Sequence, residues 1–574
     1  MKQSKNNRYM PMLMAACVMA GILIGTFFTS RFSGNRLNIV NNGSNRLSNL
    51  LHIIDDQYVD KVDIDSLVEK AMPLILAELD PHSVYISARE VQMATDDLKG
   101  SFFGVGIEFV IRGDTLHVQR VIPNGPAEKA GVIAGDKIVS IDGKPFVGKA
   151  ATNDEAMRRL KGQKDTKVSI GVVRYGDKKP KYFTIVRGEI PMKSVTAAYM
   201  INDETGYIKV RNFGEHTYDE MTIALAKLSN EGMSNIILDL RDNTGGLLKS
   251  AVLMAQEFLP ANRLIVYNEG RKSPRKDYKS DGRGAFQRMP LVVLINESSA
   301  SASEILAGAI QDNDRGTIIG RRSFGKGLVQ EQIPFSDGSM IRLTVARYYT
   351  PSGRCIQKPY SIGDDGDYEH DLINRYEHGE FFSQDSIKHV GKPYKTSSGR
   401  LVYGGGGITP DIFVPEDTLG ITSYYKEAAM SGLILQFAFT YTDDNRLKLN
   451  NFKEMMQLSD YLQSQNLVNQ FANYASNHGL QRRNLMIRKS HNLLNRYINS
   501  RIIYNILNEQ AWTQYLNQDD PVIRKALEVF EKGEAFPRKP VPKKKAGGKQ
   551  KVACAGSCGS RIFMNGNMNS IAMC

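Results

Sequence analysis

Leu291 to Gln311 reads "LVVLINESSASASEILAGAIQ": five aliphatic residues, a turn-forming stretch with four serines in six positions, then apolar residues at helical spacing. A buried strand that ends in a short turn and leads into a helix is the repeating step of layered α/β architecture. A serine at that junction lies beside the orphan N–H groups of the helix N-terminus, which can stabilise a developing oxyanion. The same pattern also suits serines that cap a helix or permit close packing, so the stretch by itself leaves both readings open.

The surrounding chain extends the pattern. From Ile190, "TGYIKVRNF", a helix over Tyr218 to Ser229, "NIILDLRDNTGG" and a helix over Leu247 to Phe258 precede the quoted strand, so residues 190–416 are read as one α/β core. Upstream, short strands separated by Asn124-Gly125 and Asp142-Gly143 turns, with a helix over Asn153 to Leu160, predict a compact β-rich module within 96–189. Gly104, Val105, Gly106 and Ile107 open that module in "FGVGIE". Glycines there allow backbone N–H groups to converge on a carboxylate, while the next strand offers a sheet edge to an extended peptide. With the downstream "NGPAEKAGVIAGDKIVSIDGKPF", the module resembles a PDZ domain. Two helices are expected between Asn45 and Leu79, within a linker and helical segment over 30–95. Residues 417–530 read as a separate helical region, and 531–574, rich in Lys, Pro and Gly and then in Asn, Met and Ser, as a disordered basic tail.

Lys2, Lys5 and Arg8, in a cytoplasmic segment 1–9, precede an uncharged run from Met10 to Phe28 that as a helix covers about 28 Å. The expectation is a signal-anchor helix over 10–29, with everything beyond it extracytoplasmic, in the periplasm. A cleaved signal peptide is the alternative, disfavoured because no A-x-A site follows; the apolar residues that continue past Cys17 argue against lipidation there.

Composition excludes several classes. The net charge is +13 over 574 residues, but Glu531 to Lys551 contributes eight Lys/Arg against two Glu, so a folded basic groove is not implied and no nucleic-acid partner is expected. Three of the five cysteines fall in the tail and His370 and His378 sit in an acidic loop without H-E-x-x-H, so neither a disulfide framework nor a catalytic metal is expected. No cofactor is called for, and the oligomeric state is left open.

A nucleophilic serine needs a base. The nearby "RRSFGKGLVQEQ" offers Lys326, which between glycines can be shielded from water and lose its proton; an exposed lysine in a glycine turn is the plainer reading. Gly245 and Gly246, ending the strand of "LDLRDNTGG", can bring further N–H donors to the site.

These pieces resemble the C-terminal processing peptidases, also called tail-specific proteases. The resemblance runs from about Leu47 to Val414 through "DPHSVY", "GVGIEF", "GPAEKAGVIAGD", "LDLRDNTGG", "SASASEILAGAIQD", "GRRSFGKGLVQ", "RYYTPSGRCIQ" and "GITPDI". It implies a crotonase-like α/β peptidase core with an inserted PDZ domain, flanked by N-terminal helices and a C-terminal helical region. It also implies a Ser/Lys mechanism acting on polypeptides with free C-termini. The family's nucleophile lies 25 residues before the lysine, which selects Ser301 with Lys326 as base. By the same resemblance Gln330 orients Lys326, and the N–H of Ala302 with that of Gly245 or Gly246 forms the oxyanion hole. Four residues of straight strand cover about 13 Å, so contact between Gln330 and Lys326 requires the chain to bend. Lys358 to Gly406 is an insertion relative to the family pattern, and Lys161-Gly162-Gln163 stands where the family has Arg-Gly-Pro. A non-cutting adaptor and a crotonase-type thioester enzyme are the competing classes; the intact Ser301, Lys326 and Gln330 argue against the first, and the PDZ loop with the Ser/Lys pair against the second.

Overall fold

The computed structural model describes residues 14, 15, 18–21 and 43–537, apart from 175, 176, 178, 364, 365 and 390. Most of the expected anchor, Cys17 and the tail beyond residue 537 lie outside the described residues. Among the described residues no helix is long and apolar enough to cross a membrane.

The chain divides after Leu79 into two compact units. The first contains the two expected helices, Gly43–Gln57 and Ile64–Ala77; the second of these starts where the Asp63 side chain accepts from the Ser66 N–H. The second unit holds everything else.

Its centre is a six-stranded sheet in the order Val195–Met200, Thr205–Val210, Asn235–Asp239, Leu291–Ile295, Thr317–Gly320, Ile412–Phe413. Only the first pair is antiparallel. Leu291–Ile295 is buried at every position, as a parallel strand covered on both faces must be. The helices Thr217–Asn230, Leu248–Gln256 and Ala302–Asp312 fill one face, and every residue of the last is buried. The other face is closed by Pro521–Glu531, whose Val522, Ile523, Ala526 and Val529 pack on Tyr207, Ile237, Val292, Leu294 and Ile319. This corrects the reading of 417–530 as a separate region. Helices from Ser423–Met430 to Glu509–Asn517 have a core of their own, but the last helix belongs to the central six-stranded sheet. Asp520, its N-cap, also pairs with Arg241 of "LDLRDNTGG" at 2.6 Å.

A second sheet joins Val84–Ile86, Met340–Tyr349, Leu264–Glu269 and Lys276–Lys279, with Leu328–Pro334 paired to Met340–Tyr349. The β-rich module is a six-stranded antiparallel sheet between Ile107 and Val186 around its own core, with the helix Asn153–Leu160 against it. Asn124, Asp142 and Gly143 adopt positive φ, as their turns require. Chain entry and exit are paired as Ser101–Gly104 against Gly188–Pro191. The insertion 358–406 forms a helix, Gly366–Glu377, and a hairpin, Pro393–Lys395 with Leu401–Tyr403, so His370 lies on a helix instead of the expected loop.

Candidate active site

The four serines of the opening stretch have different fates. Ser299 and Ser303 are fully buried and donate to the carbonyls of Leu240 and Asn243, each at 2.8 Å. The Ser298 N–H turns back to Asn296 Oδ1. Ser301 is held at φ +55°, ψ −112°, a conformation uncommon for a residue with a Cβ, and lines a cavity of about 970 Å³. Lys326, Gln330, Gly245 and Gly246 line the same cavity, and Ala302 follows Ser301 as the first residue of the buried helix.

The two glycines serve different approaches. A Cβ on Gly245 (φ +106°) would lie 2.7 Å from Ser301 Cβ and 3.0 Å from the Ala302 nitrogen. A Cβ on Gly246 (φ +143°) would instead strike the Phe213 carbonyl oxygen at 2.2 Å. The Gly245 N–H already donates to Asn243 Oδ1 at 2.9 Å.

Ser301 and Lys326 are cross-braced through their main chains. Glu304, on the first turn of the helix, accepts from the N–H groups of Ser301 (2.9 Å), Lys326 (2.8 Å) and Gly325 (2.8 Å) and from the Ser323 hydroxyl (2.5 Å). The buried Tyr348 hydroxyl lies against the carbonyls of both Ser301, at 3.0 Å, and Lys326. Burial pushes the Glu304 carboxyl up to about 7, against the pull of its four donors. Burial also lowers the Lys326 ammonium below its ordinary 10.5, with Arg342 acting in the same direction. A lysine so placed can serve as a neutral base near its serine.

The ladder slips between Val329 and Gln330, with Val345 of the partner strand as the extra residue, and among the described residues no hydrogen bond joins Gln330 to Lys326. Gln330 Nε2 donates to the His82 carbonyl, leaving its Oε1 as the acceptor on the amide. His82 is in turn held by Asp80 through its N–H (2.9 Å) and by the Tyr368 hydroxyl at Nε2 (2.7 Å). Burial, then the charge of Lys326, brings the His82 ring down to about 4, so it is neutral at working pH. Tyr368 comes from the insertion, where Lys358 sits between its ring and that of Phe324.

Gly104, Val105, Gly106 and Ile107 lie outside this cavity, at the start of the β-rich module; the carbonyls of Val105 and Gly106 accept from Ala127 and Ile122. Lys161 pairs with Asp96 at 3.2 Å, on the helix Val91–Lys99 whose Ala94 and Leu98 border the cavity. Among the described residues no cluster of His, Cys, Asp and Glu could hold a metal. Sequence reading passed over Glu304, Tyr348, His82 and Tyr368. Glu304 carried a signal, since S-x-x-E at a helix start is a capping pattern, and here the Glu does reach back to the Ser301 N–H. Nothing in the sequence marked Tyr368.

Residues 204–368 match peptidase family S41, 117–174 a PDZ domain, and 424–508 a family of unknown function, DUF8443. The carboxy-terminal-processing protease of Bartonella bacilliformis is 38% identical over 316 residues, covering 54% of this chain and 72% of that protein. The carboxy-terminal processing protease CtpB of Bacillus subtilis is 34% identical over 318 residues, covering 54% of this chain and 65% of that protein. Among solved structures, a photosystem II D1 C-terminal processing protease is similar at 26% identity and TM-score 0.33, covering 65% of this chain and 93% of that one.

Proposed function

Since the chain belongs to the carboxy-terminal-processing proteases, serine peptidases of family S41 with a PDZ domain, we propose that it cuts polypeptides near free C-termini through Ser301 and Lys326. The observation that carries this reading is a strained Ser301 and a partly buried Lys326 facing one cavity, with Glu304 holding the main-chain N–H of each. Neutral Lys326 takes the proton from Ser301 Oγ as that oxygen attacks the scissile carbonyl. The tetrahedral oxyanion is met by the N–H of Ala302 and a glycine N–H. Gly246 is the better second donor, because the Gly245 N–H is engaged by Asn243. Collapse breaks the C–N bond, the leaving amine takes the proton from Lys326, and a Ser301 ester remains. Water then attacks that ester, with Lys326 accepting its proton. Gln330, which lines the same cavity as Lys326 and is fixed through its Nε2 by the His82 carbonyl, positions Lys326.

The loop Gly104–Ile107 holds the tail's carboxylate and so selects termini over internal sites. The N-terminal apolar run, with Lys2, Lys5 and Arg8 before it, supports an inner-membrane anchor and a periplasmic catalytic unit.

The test is mass spectrometry of a peptide pair, free acid and amide, incubated with the full chain. C-terminally shortened products from the acid, at least several-fold less from the amide, and none from either with Ser301→Ala are expected. Equal cleavage of acid and amide refutes the PDZ role, and cleavage by the Ser301→Ala protein refutes the nucleophile.

A further inference from the structure

The strand Ile107–Arg112 leaves the proposed carboxylate loop directly and is an edge of its sheet: among the described residues it pairs with Thr115–Val121 alone. Ile107, Phe109 and Ile111 pack on the module's core, and strand alternation turns Glu108, Val110 and Arg112 to the opposite face. On that face lies the C-terminal helical region. Tyr504 donates to Glu108 Oε2 at 2.9 Å under the Arg120 guanidinium, Gln119 donates to Asn505 at 2.6 Å, and the His117 and Phe439 rings meet edge-on at 5.7 Å. At the far end of the strand the two surfaces part around a cavity of about 410 Å³. Val110, Arg112, Leu435, Phe439 and Arg501 help to line it. Arg501 Nε is buried there with no hydrogen-bond partner among the described residues, its guanidinium over the Tyr497 and Trp512 rings, and Leu435 is 45% exposed.

We infer that this cavity is a second recognition subsite for the substrate tail, formed jointly by the PDZ edge and the C-terminal helices. It takes a large apolar side chain, with an acidic neighbour, from the fourth to sixth residues before the terminus. This rests on the reading that Gly104–Ile107 holds the carboxylate. A tail added antiparallel to the edge starts at that loop and advances about 3.3 Å per residue, so its fourth to sixth residues pass Val110–Arg112. Side chains opposite one another on paired strands share a face, so those opposite Val110 and Arg112 point toward Leu435 and Phe439. The walls are apolar where Val110, Leu435 and Phe439 contribute, and Arg112 and Arg501 add two cations while none of the described lining residues is a carboxylate, which suits an acidic neighbour over a basic one. The pairing also gives the helical region a role in specificity.

The experiment uses the full chain carrying Ser301→Ala and seven-residue peptides sharing their last three residues, with binding read by fluorescence anisotropy. Replacing the fourth residue from the end, Leu by Ser, should weaken binding about 10-fold, and Glu to Lys at the sixth about 3-fold or more. Leu435→Ser should bring the Leu/Ser ratio close to one while the preference for acid over amide persists. Leu435→Ala is the second variant should the first be unstable, with thermal melting as the check on folding. Equal affinities across the series, or a Leu/Ser ratio unchanged in both variants, overturn the subsite. Loss of the acid-over-amide preference in the unsubstituted peptide overturns the PDZ reading and the subsite with it.

Discussion

Gly245→Ala probes how closely the backbone approaches Ser301. The new Cβ would stand 2.7 Å from Ser301 Cβ, 2.8 Å from the Ala300 carbonyl oxygen and 3.0 Å from the Ala302 nitrogen. Carbon atoms settle near 3.5–4.0 Å, so one segment must retreat by about 1 Å. Since the three contacted atoms surround Ser301, its Oγ and the Ala302 N–H move together. Misplacement of about 1 Å reduces rate by roughly 10²-fold, and a lost oxyanion donor by about 10²–10³-fold. A fall in kcat of about 10²–10⁴ is therefore expected. The substitution also strains the backbone at φ +106°, at a cost of about 1–3 kcal/mol. Gly232→Ala separates the two effects: φ there is +95°, but the added Cβ meets nothing within 4 Å. That variant should melt earlier and keep wild-type kcat. Turnover of a fluorogenic peptide, labelling by a serine-directed phosphonate and thermal melting distinguish the cases. A folded Gly245→Ala protein with kcat within threefold of wild type refutes the geometry.

Because only neutral Lys326 can accept a proton, activity should rise with pH through a value below the lysine's ordinary 10.5, and Lys326→Arg should be inactive from pH 5 to 10 yet still folded; turnover by that variant refutes the base assignment. Glu304→Gln leaves two of four donors facing an NH2 group, an expected loss of about 2–6 kcal/mol at roughly 1–3 each, visible in denaturant melts. Since burial raises the Glu304 pKa, its protonated form favours folding: that contribution is complete below about 4.5 and fades as pH rises through about 7, a slope the Gln variant should lack. Tyr368→Phe deletes the hydroxyl that holds His82, whose carbonyl receives Gln330; kcat should fall several-fold with KM and melting little changed, and an unchanged kcat removes Tyr368 from the positioning chain.

Local chemistry determined much of this protein in advance. The strand, turn and helix of Leu291–Gln311 follow from an aliphatic run, small polar residues and helical spacing, all within 21 positions. The β-rich module follows from short strands punctuated by Asn-Gly and Asp-Gly, whose positive φ those residues tolerate. The family resemblance, not the residues themselves, singled out Ser301; its neighbours Ser299 and Ser303 are bound to the carbonyls of Leu240 and Asn243, about sixty residues upstream. Tertiary structure decided the rest. Glu304 caps Ser301 locally, but only the folding of the loop bearing Ser323, Gly325 and Lys326 onto it gives it three further donors. The apolar stripe of Pro521–Glu531 announces a buried face, yet only the completed sheet shows that it closes over Ile237, Val292 and Leu294 instead of joining the helices before it. Periodicity is set by the residues of one segment, whereas the surface that segment covers is set by shape and charge brought from residues hundreds of positions away.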